Sequence, residues 1–135
     1  MLIALVSFLF FLCAGAYWGV MDLIQFHFDK SIFSKKDRLY WDPSASWANK
    51  WKWVDVNGKQ VRKEKFWGSS RWFVRFTDGW HRMKSYTLLS IVLSSWTQAL
   101  LPLLGLETIW WAQMLSPIGL WCGFWITYES KLLRL

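Results

Sequence analysis

Apolar positions along the chain fall into three blocks, divided by one long charged stretch and one short turn. Residues 2–24 carry a single charge, Asp22, and residues 86–106 and 109–128 carry none. A bilayer core of about 30 Å takes about 20 helical residues, so each block is long enough to cross one. The pattern predicts an all-α membrane protein with three transmembrane helices.

The intervening segment, residues 25–84, has shorter periods. Phe26, Ile32, Phe33, Leu39 and Tyr40 recur at roughly helical spacing, with Lys30, Lys35, Lys36 and Arg38 between them. That reads as a helix leaving the bilayer and continuing along its surface. Asp42-Pro43 is a helix-start signal, a capping carboxylate followed by Pro at the first position, and predicts a short helix over 43–50. Asn57-Gly58 between β-prone residues predicts a type I′ hairpin over 53–61, because both central positions need positive φ. Such a hairpin is marginal alone and needs a neighbour. Residues 66–70 read as a turn and cap. From Arg71 the helical period returns, with Arg71, Arg75, Asp78 and Arg82 on one face and Phe73, Phe76, Trp80 and Met83 on the other. An amphipathic helix bent at Gly79 and running into the second span is expected. The three spans are thus joined by a cap of short interfacial helices and one small β-hairpin.

Charge supplies the threading. The formal charge is +7, and 14 of the 16 Lys and Arg lie within residues 25–84. The N-terminus and the turn at 103–108 have none. Basic residues favour the cytoplasmic side, so the chain is expected N-out and C-in, in a bacterial inner membrane, with a cytoplasmic cap. Beside apolar spans this excess reads as membrane orientation and not as nucleic-acid binding. Lys35, Lys36, Arg71, Arg75, Arg82 and Lys84 are the candidate contacts to anionic lipid headgroups. Ala14-Gly15-Ala16 resembles a signal cleavage site, but no Lys or Arg precedes the apolar run, so an uncleaved anchor is expected. Cys13 and Cys122 sit inside apolar spans and make no metal or disulfide motif.

Small and polar residues mark helix contacts within the spans. Gly15 and Gly19 form a GxxxG in the first; Ala112, Ser116, Gly119 and Gly123 form a stripe with a second GxxxG in the third. Small residues let helix backbones approach in lipid. The first and third spans are parallel in this threading, so their motifs can meet within one chain or between two; a homo-oligomer or a larger membrane complex is expected. Thr87, Ser90, Ser94 and Gln98 line one face of the second span, which points to a helix contact or a wet cavity. The 13 Trp suit a headgroup-level belt.

No nucleotide-binding loop, zinc-protease helix or hydrolase elbow occurs. Two acid–imidazole pairs remain, Asp22 with His27 and Asp78 with His81. Asp78 and His81 share a helix face, whereas Asp22 and His27, five apart, diverge on a straight helix. Brought together at the inner interface, the four form a candidate Zn or Fe site, or acid–base groups for a lipid headgroup; a single His as ligand to a haem or chlorin metal is the further alternative. The same residues carry a resemblance. Asp22-x-x-x-Phe26-His27-Phe28, Trp41-Asp42-Pro43-x-x-Ser46-Trp47-x-Asn49-Lys50-Trp51, and Phe66-x-Gly68-Ser69 through Thr77-Asp78-Gly79-Trp80-His81 resemble a family of small membrane proteins found chiefly in Bacteroidetes and some phages. It covers about residues 20–82. The resemblance implies that the pairs and the Ser-Trp-x-Asn-Lys segment occur together, and it implies no activity. Three functions stay open: a membrane subunit or adaptor that binds partner helices and anionic lipid, a membrane enzyme using the Asp/His set, and a small oligomeric pore lined by the 87–98 stripe.

Overall fold

The computed structural model describes residues 2–105, 110–130 and 133–134. Residues 106–108 of the expected turn at 103–108, and Lys131, lie outside the described residues. The chain is mostly helical with one two-stranded antiparallel sheet. Three long helices, α1 (Leu2–His27), α4 (Gly79–Leu103) and α5 (Trp110–Tyr128), form a bundle in which α1 packs against both others. Two short helices, α2 (Arg38–Trp41) and α3 (Pro43–Ser46), and the hairpin β1 (Trp51–Val56) and β2 (Lys59–Glu64) make a cap at one end. Among the described residues one helix, the run Ile3–Lys30, is long and apolar enough to cross a membrane; its apolar 18-residue window has mean hydropathy 2.0 and is 22% buried.

Helix α1 runs parallel to α5 and antiparallel to α4. Along α5, Gly15 stands beside Leu120, and Gly19 beside Phe124 and Thr127. A methyl group added at Gly15 would lie 1.9 Å from the Leu120 carbonyl oxygen, and one at Gly123 would lie 2.0 Å from that of Leu12. Each helix thus presses its glycines onto the other's backbone, an approach no side chain permits. Gly119 faces the Phe8 ring at 3.1 Å, a contact a small rotation can relieve. Ala112 lies in α5, and its side chain is outside those described.

The second contact is polar. Ser7 of α1 and Ser94 of α4 share a hydrogen bond of 2.7 Å, and the Ser94 hydroxyl is also 3.1 Å from the Ser7 carbonyl. The Gln98 amide donates to Ser7 Oγ at 2.8 Å and to Ser116 Oγ of α5 at 3.1 Å, so one side chain ties all three helices. The polar stripe of α4 therefore faces α1 and α5. The bundle interior is small and polar: Ser7, Ala14, Ser90, Ser94, Ser116 and Thr127 are buried. Leu5, Leu9, Leu88, Leu89, Val92, Trp96, Ile118, Trp121 and Ile126 point outward.

The cap departs from the sequence expectation in two places. Helix α1 does not continue into a second, surface-lying helix as expected. It ends at His27 and passes through two 3-10 turns, Phe28–Lys30 and Ile32–Lys35, hinged at an extended Ser31. The Ser31 hydroxyl caps the second turn, and Ser31 pairs with Arg134 of the tail, while Ile32 donates to the Leu133 carbonyl. Tertiary pairing with the C-terminus overrides the helical period here. Nor does a helix start at Arg71. Gly68, at φ +73°, turns the chain so that its carbonyl accepts from Arg71, Trp72 and Phe73, and after one 3-10 turn (Val74–Phe76) α4 begins at Gly79. The hairpin extends the predicted pairing from Trp51 to Glu64, around Asn57 at φ +57° and Gly58 at +77°. The apolar core of Leu23, Ile24, Phe28, Phe33 and Met83 lies where cap and bundle meet.

Gly15→Ala and Gly123→Ala each force a carbonyl aside and should lower stability by about 1–3 kcal/mol, the usual cost of overpacking. Gly119→Ala should cost clearly less. Unfolding in mixed micelles, followed by circular dichroism, reads the difference; three indistinguishable melts would contradict the contact.

Candidate functional site

Asp78 is the residue around which the cap closes. It precedes α4 and acts as its N-cap: Oδ1 accepts from the His81 backbone N–H at 3.2 Å, an orphan donor of the first turn. Oδ2 accepts from the Ser46 hydroxyl at 3.1 Å and lies 3.0 Å from His81 Nδ1. Asp78 is buried, and His81 is half-buried. Burial alone would push the Asp78 carboxyl up. The His81 side chain, the His81 N–H and charge, and the Ser46 hydroxyl outweigh burial and hold it below its ordinary value.

The residues that bring Ser46 to Asp78 are local in origin. Asp42 caps α3 through Ser44 N at 2.9 Å, with Pro43 at the first position, and Arg38 holds Asp42 Oδ2 through two nitrogens at 2.8 and 3.2 Å. Ser46 ends that turn, and a 3-10 turn, Trp47–Lys50, carries the chain into β1. Asn49 donates to the Thr77 carbonyl at 2.7 Å and accepts from Lys65 at 2.6 Å, pinning the segment to the one before α4. Gly79 packs against the face of Trp41, where an added methyl would meet ring carbons at 2.5 Å.

Beside the pair is a cavity of about 320 Å³ lined by Gln25, Pro43, Ser46, Trp47, Lys50, Asp78, Trp80 and His81. A second cleft of about 390 Å³ lies between Trp51, Glu64, Trp67, Gly68, Ser70, Arg71 and Trp72. Its carboxylate is already engaged: Glu64 accepts from the Ser70 hydroxyl and from the Gly68 and Ser70 backbone N–H groups, which hold it below its usual value.

The two acid–imidazole pairs do not meet. His27 Nε2 lies 2.8 Å from the Tyr128 hydroxyl on α5, and Asp22 sits a turn and more back along α1. Among the described residues, no three His, Cys, Asp or Glu side chains group so as to hold a metal ion. A single site built from Asp22, His27, Asp78 and His81 is therefore corrected to one dyad, Asp78–His81, because Asp78 caps a helix that faces α3 and not His27. Among the described residues these four side chains therefore offer no common ligand set for Zn or Fe.

The proposed headgroup residues all lie in the cap or the first turns of α4. Lys36 stands over Phe33 and Trp41, Arg75 over Phe76, Arg82 over Tyr40 and Lys84 over Trp80, at 4.8–5.6 Å from the ring centres; Lys35 and Arg71 are exposed. Sequence reasoning did not single out Ser46, Lys50, Trp47 or Gln25 as partners of His81. The Ser-Trp-x-Asn-Lys segment was the available signal, since it packs three polar side chains into one turn after a cap. Compared with known protein families, with curated proteins and with solved structures, the chain matches none of them. The resemblance over residues 20–82 stands on its motif residues alone.

A carboxyl depressed in the folded state stabilises the fold above its unfolded value of ~4 and loses that contribution as pH falls through the folded value. Asp78→Asn should therefore melt lower than wild type at pH 7, and the gap should close toward pH 3. Thermal melts across that range test it; a gap constant with pH would contradict the role of the charge.

Proposed function

We propose that the chain is a three-span integral membrane protein, N-out and C-in, whose cap engages anionic lipid at the cytoplasmic surface. The observation that carries this reading is the inverted burial of the bundle. Small and hydroxyl side chains fill the interior, while Leu, Ile, Val and Trp cover the outside of all three helices. In water such a surface is far larger than a monomer tolerates; in lipid it is the expected exterior, with packing carried by close backbones and interhelical hydrogen bonds. One helix passes the length and hydropathy test on its own, and α4 and α5 share its bundle.

The cap suits an interface. Trp67 and Trp72 are each 78% exposed, on a turn held by Gly68. Basic side chains lie across aromatic faces throughout, from Arg62 over Trp51 at 4.7 Å to Arg134 over Tyr128 at 5.2 Å. Rings at headgroup depth with cations beside them are what anionic interfaces select. The Gly and Ser stripes of α1, α4 and α5 meet inside the chain, so association with partner helices rests on the outer Leu and Trp faces instead. That the 87–98 stripe faces α1 and α5 speaks for this reading over the pore. The enzyme reading narrows to the Asp78–His81 dyad.

Purified protein should bind vesicles containing phosphatidylglycerol and not neutral ones, with binding that weakens between 50 and 300 mM salt as screening grows, roughly over a few-fold change in Debye length. In a variant with Cys13 and Cys122 replaced, a cysteine at Asn57 should resist impermeant maleimide in intact cells and react in inverted vesicles. Labelling from outside, or equal binding to neutral vesicles, would defeat the proposal.

A further inference from the structure

The cavity beside His81 has a composition that the cap's general attraction to anionic lipid does not require. Lys50, His81, Gln25 and Ser46 line it with donors, and Trp47 and Trp80 line it with indoles. Asp78, the one carboxylate lining it, is already engaged through both oxygens, by the His81 N–H and the Ser46 hydroxyl. Its Oδ2 also stands 3.0 Å from His81 Nδ1, a charge contact without hydrogen-bond geometry that sets the ring beside the cavity, and His81 Nε2 makes no hydrogen bond among the described residues. Lys50 is half-buried and, among the described residues, makes no ion pair. The Lys50 ammonium has no carboxylate paired with it among the described residues, and the His81 ring, whose charge Asp78 balances when it is protonated, adds a donor beside the same cavity, a set that suits an anion.

The chemistry narrows the anion further. An oxyanion with several acceptor oxygens can take the three donors of Lys50, the Gln25 amide and His81 together. The indoles of Trp47 and Trp80 offer apolar surface for an organic stem. A volume of about 320 Å³ suits a small ligand and exceeds what a bare inorganic ion would fill. Gln25 is the first polar residue after the apolar run of α1, so the cavity opens where that run ends.

We infer that this cavity is a binding site for a phosphate ester, with Lys50 and His81 on the phosphate and Asp78 positioning the His81 ring. That the ester belongs to a lipid headgroup rests on the membrane reading above; a soluble phosphate ester carries the same chemistry, and the two are separated by experiment.

The full chain in neutral nanodiscs is loaded with a small fraction of phosphatidic acid, and lipid retained per chain is measured by native mass spectrometry. Glycerol 3-phosphate is titrated in a parallel series without anionic lipid. Lys50→Gln and His81→Gln should each weaken retention ~10-fold or more, as for loss of a charge-assisted hydrogen bond. Lys50→Arg should restore most of it, and Lys63→Gln on the exposed hairpin should leave it near wild type. Melting in neutral lipid shows that each variant is folded; if Lys50→Gln is not, the comparison of Lys50→Arg and His81→Gln with wild type carries the test. Glycerol 3-phosphate bound with the same variant pattern assigns a soluble ester; retention of phosphatidic acid alone assigns a lipid. Equal losses in Lys63→Gln, Lys50→Gln and His81→Gln would overturn the site and leave the general lipid attraction standing. Wild type that retains no phosphatidic acid yet binds glycerol 3-phosphate would overturn the lipid reading and keep the site. Neither ligand bound would overturn both.

Discussion

Everything in this chain is referenced to the contact between α1 and α5. Four glycines set it: Gly15 and Gly19 on one helix, Gly119 and Gly123 on the other. With no Cβ at these points the two helices come close, and dispersion between many close atoms holds them together. The contact also fixes axial register, because a glycine one turn out of step would meet a side chain. Register then determines what happens at the ends. It brings Tyr128 to His27, and it delivers the tail, through Leu133 and Arg134, to Ile32 and Ser31. The break in the chain after α1 comes at the end of a helix whose register that glycine contact sets.

The second helix of the bundle is held by a different force. Gln98 reaches Ser7 and Ser116 at once, and Ser94 meets Ser7. Hydrogen bonds of this kind contribute modestly in membranes, about 0.6 kcal/mol on average, but they are directional where packing is not. Glycine contact sets how close two helices lie; the Ser–Gln cluster sets how the third is rotated against them. That rotation aims the first turn of α4 at α3, so that Asp78 can cap its own helix and receive Ser46 together.

How much of this was legible depends on the range of the interaction. The hairpin was readable because Asn57-Gly58 encodes its turn through φ alone, and the α3 start because Asp42-Pro43 caps within three residues. The stripes of small and polar residues were readable as helix contacts, since their spacing is a property of one helix. Two features were not. The apolar period of 26–40 looked helical because Phe28, Phe33 and Trp41 all face one core, yet three short turns meet that core as well as one helix does, and the tail decides between them. The period from Arg71 failed for the same kind of reason: the Gly68 carbonyl draws in three successive N–H groups and Asp78 starts the helix late. The grouping of four acid and imidazole residues failed because sequence spacing gives a residue's face on its own helix but not the neighbour that face meets.

That last failure explains why a carboxylate beside a histidine is weak grounds for a metal here. A metal ligand must keep its lone pairs for the ion, and both Asp78 oxygens are committed to donors within the protein. A depressed carboxyl with three such contacts is a structural anion, and its field acts on whatever is next to it. His81 Nδ1 lies 3.0 Å from that anion, which balances the ring's charge when it is protonated, and Lys50 lines the same cavity with no carboxylate paired to it among the described residues. The cap as a whole repeats this logic on a larger scale. Fourteen basic groups against six acidic ones repel one another, and laying Lys36, Arg62, Arg75, Arg82 and Lys84 across ring faces gives each an attraction of about 0.5–1 kcal/mol at exposed sites. Such contacts orient the cations without neutralising them. A charge left oriented and uncompensated at the end of an apolar bundle is the condition under which an anionic headgroup gains most by arriving.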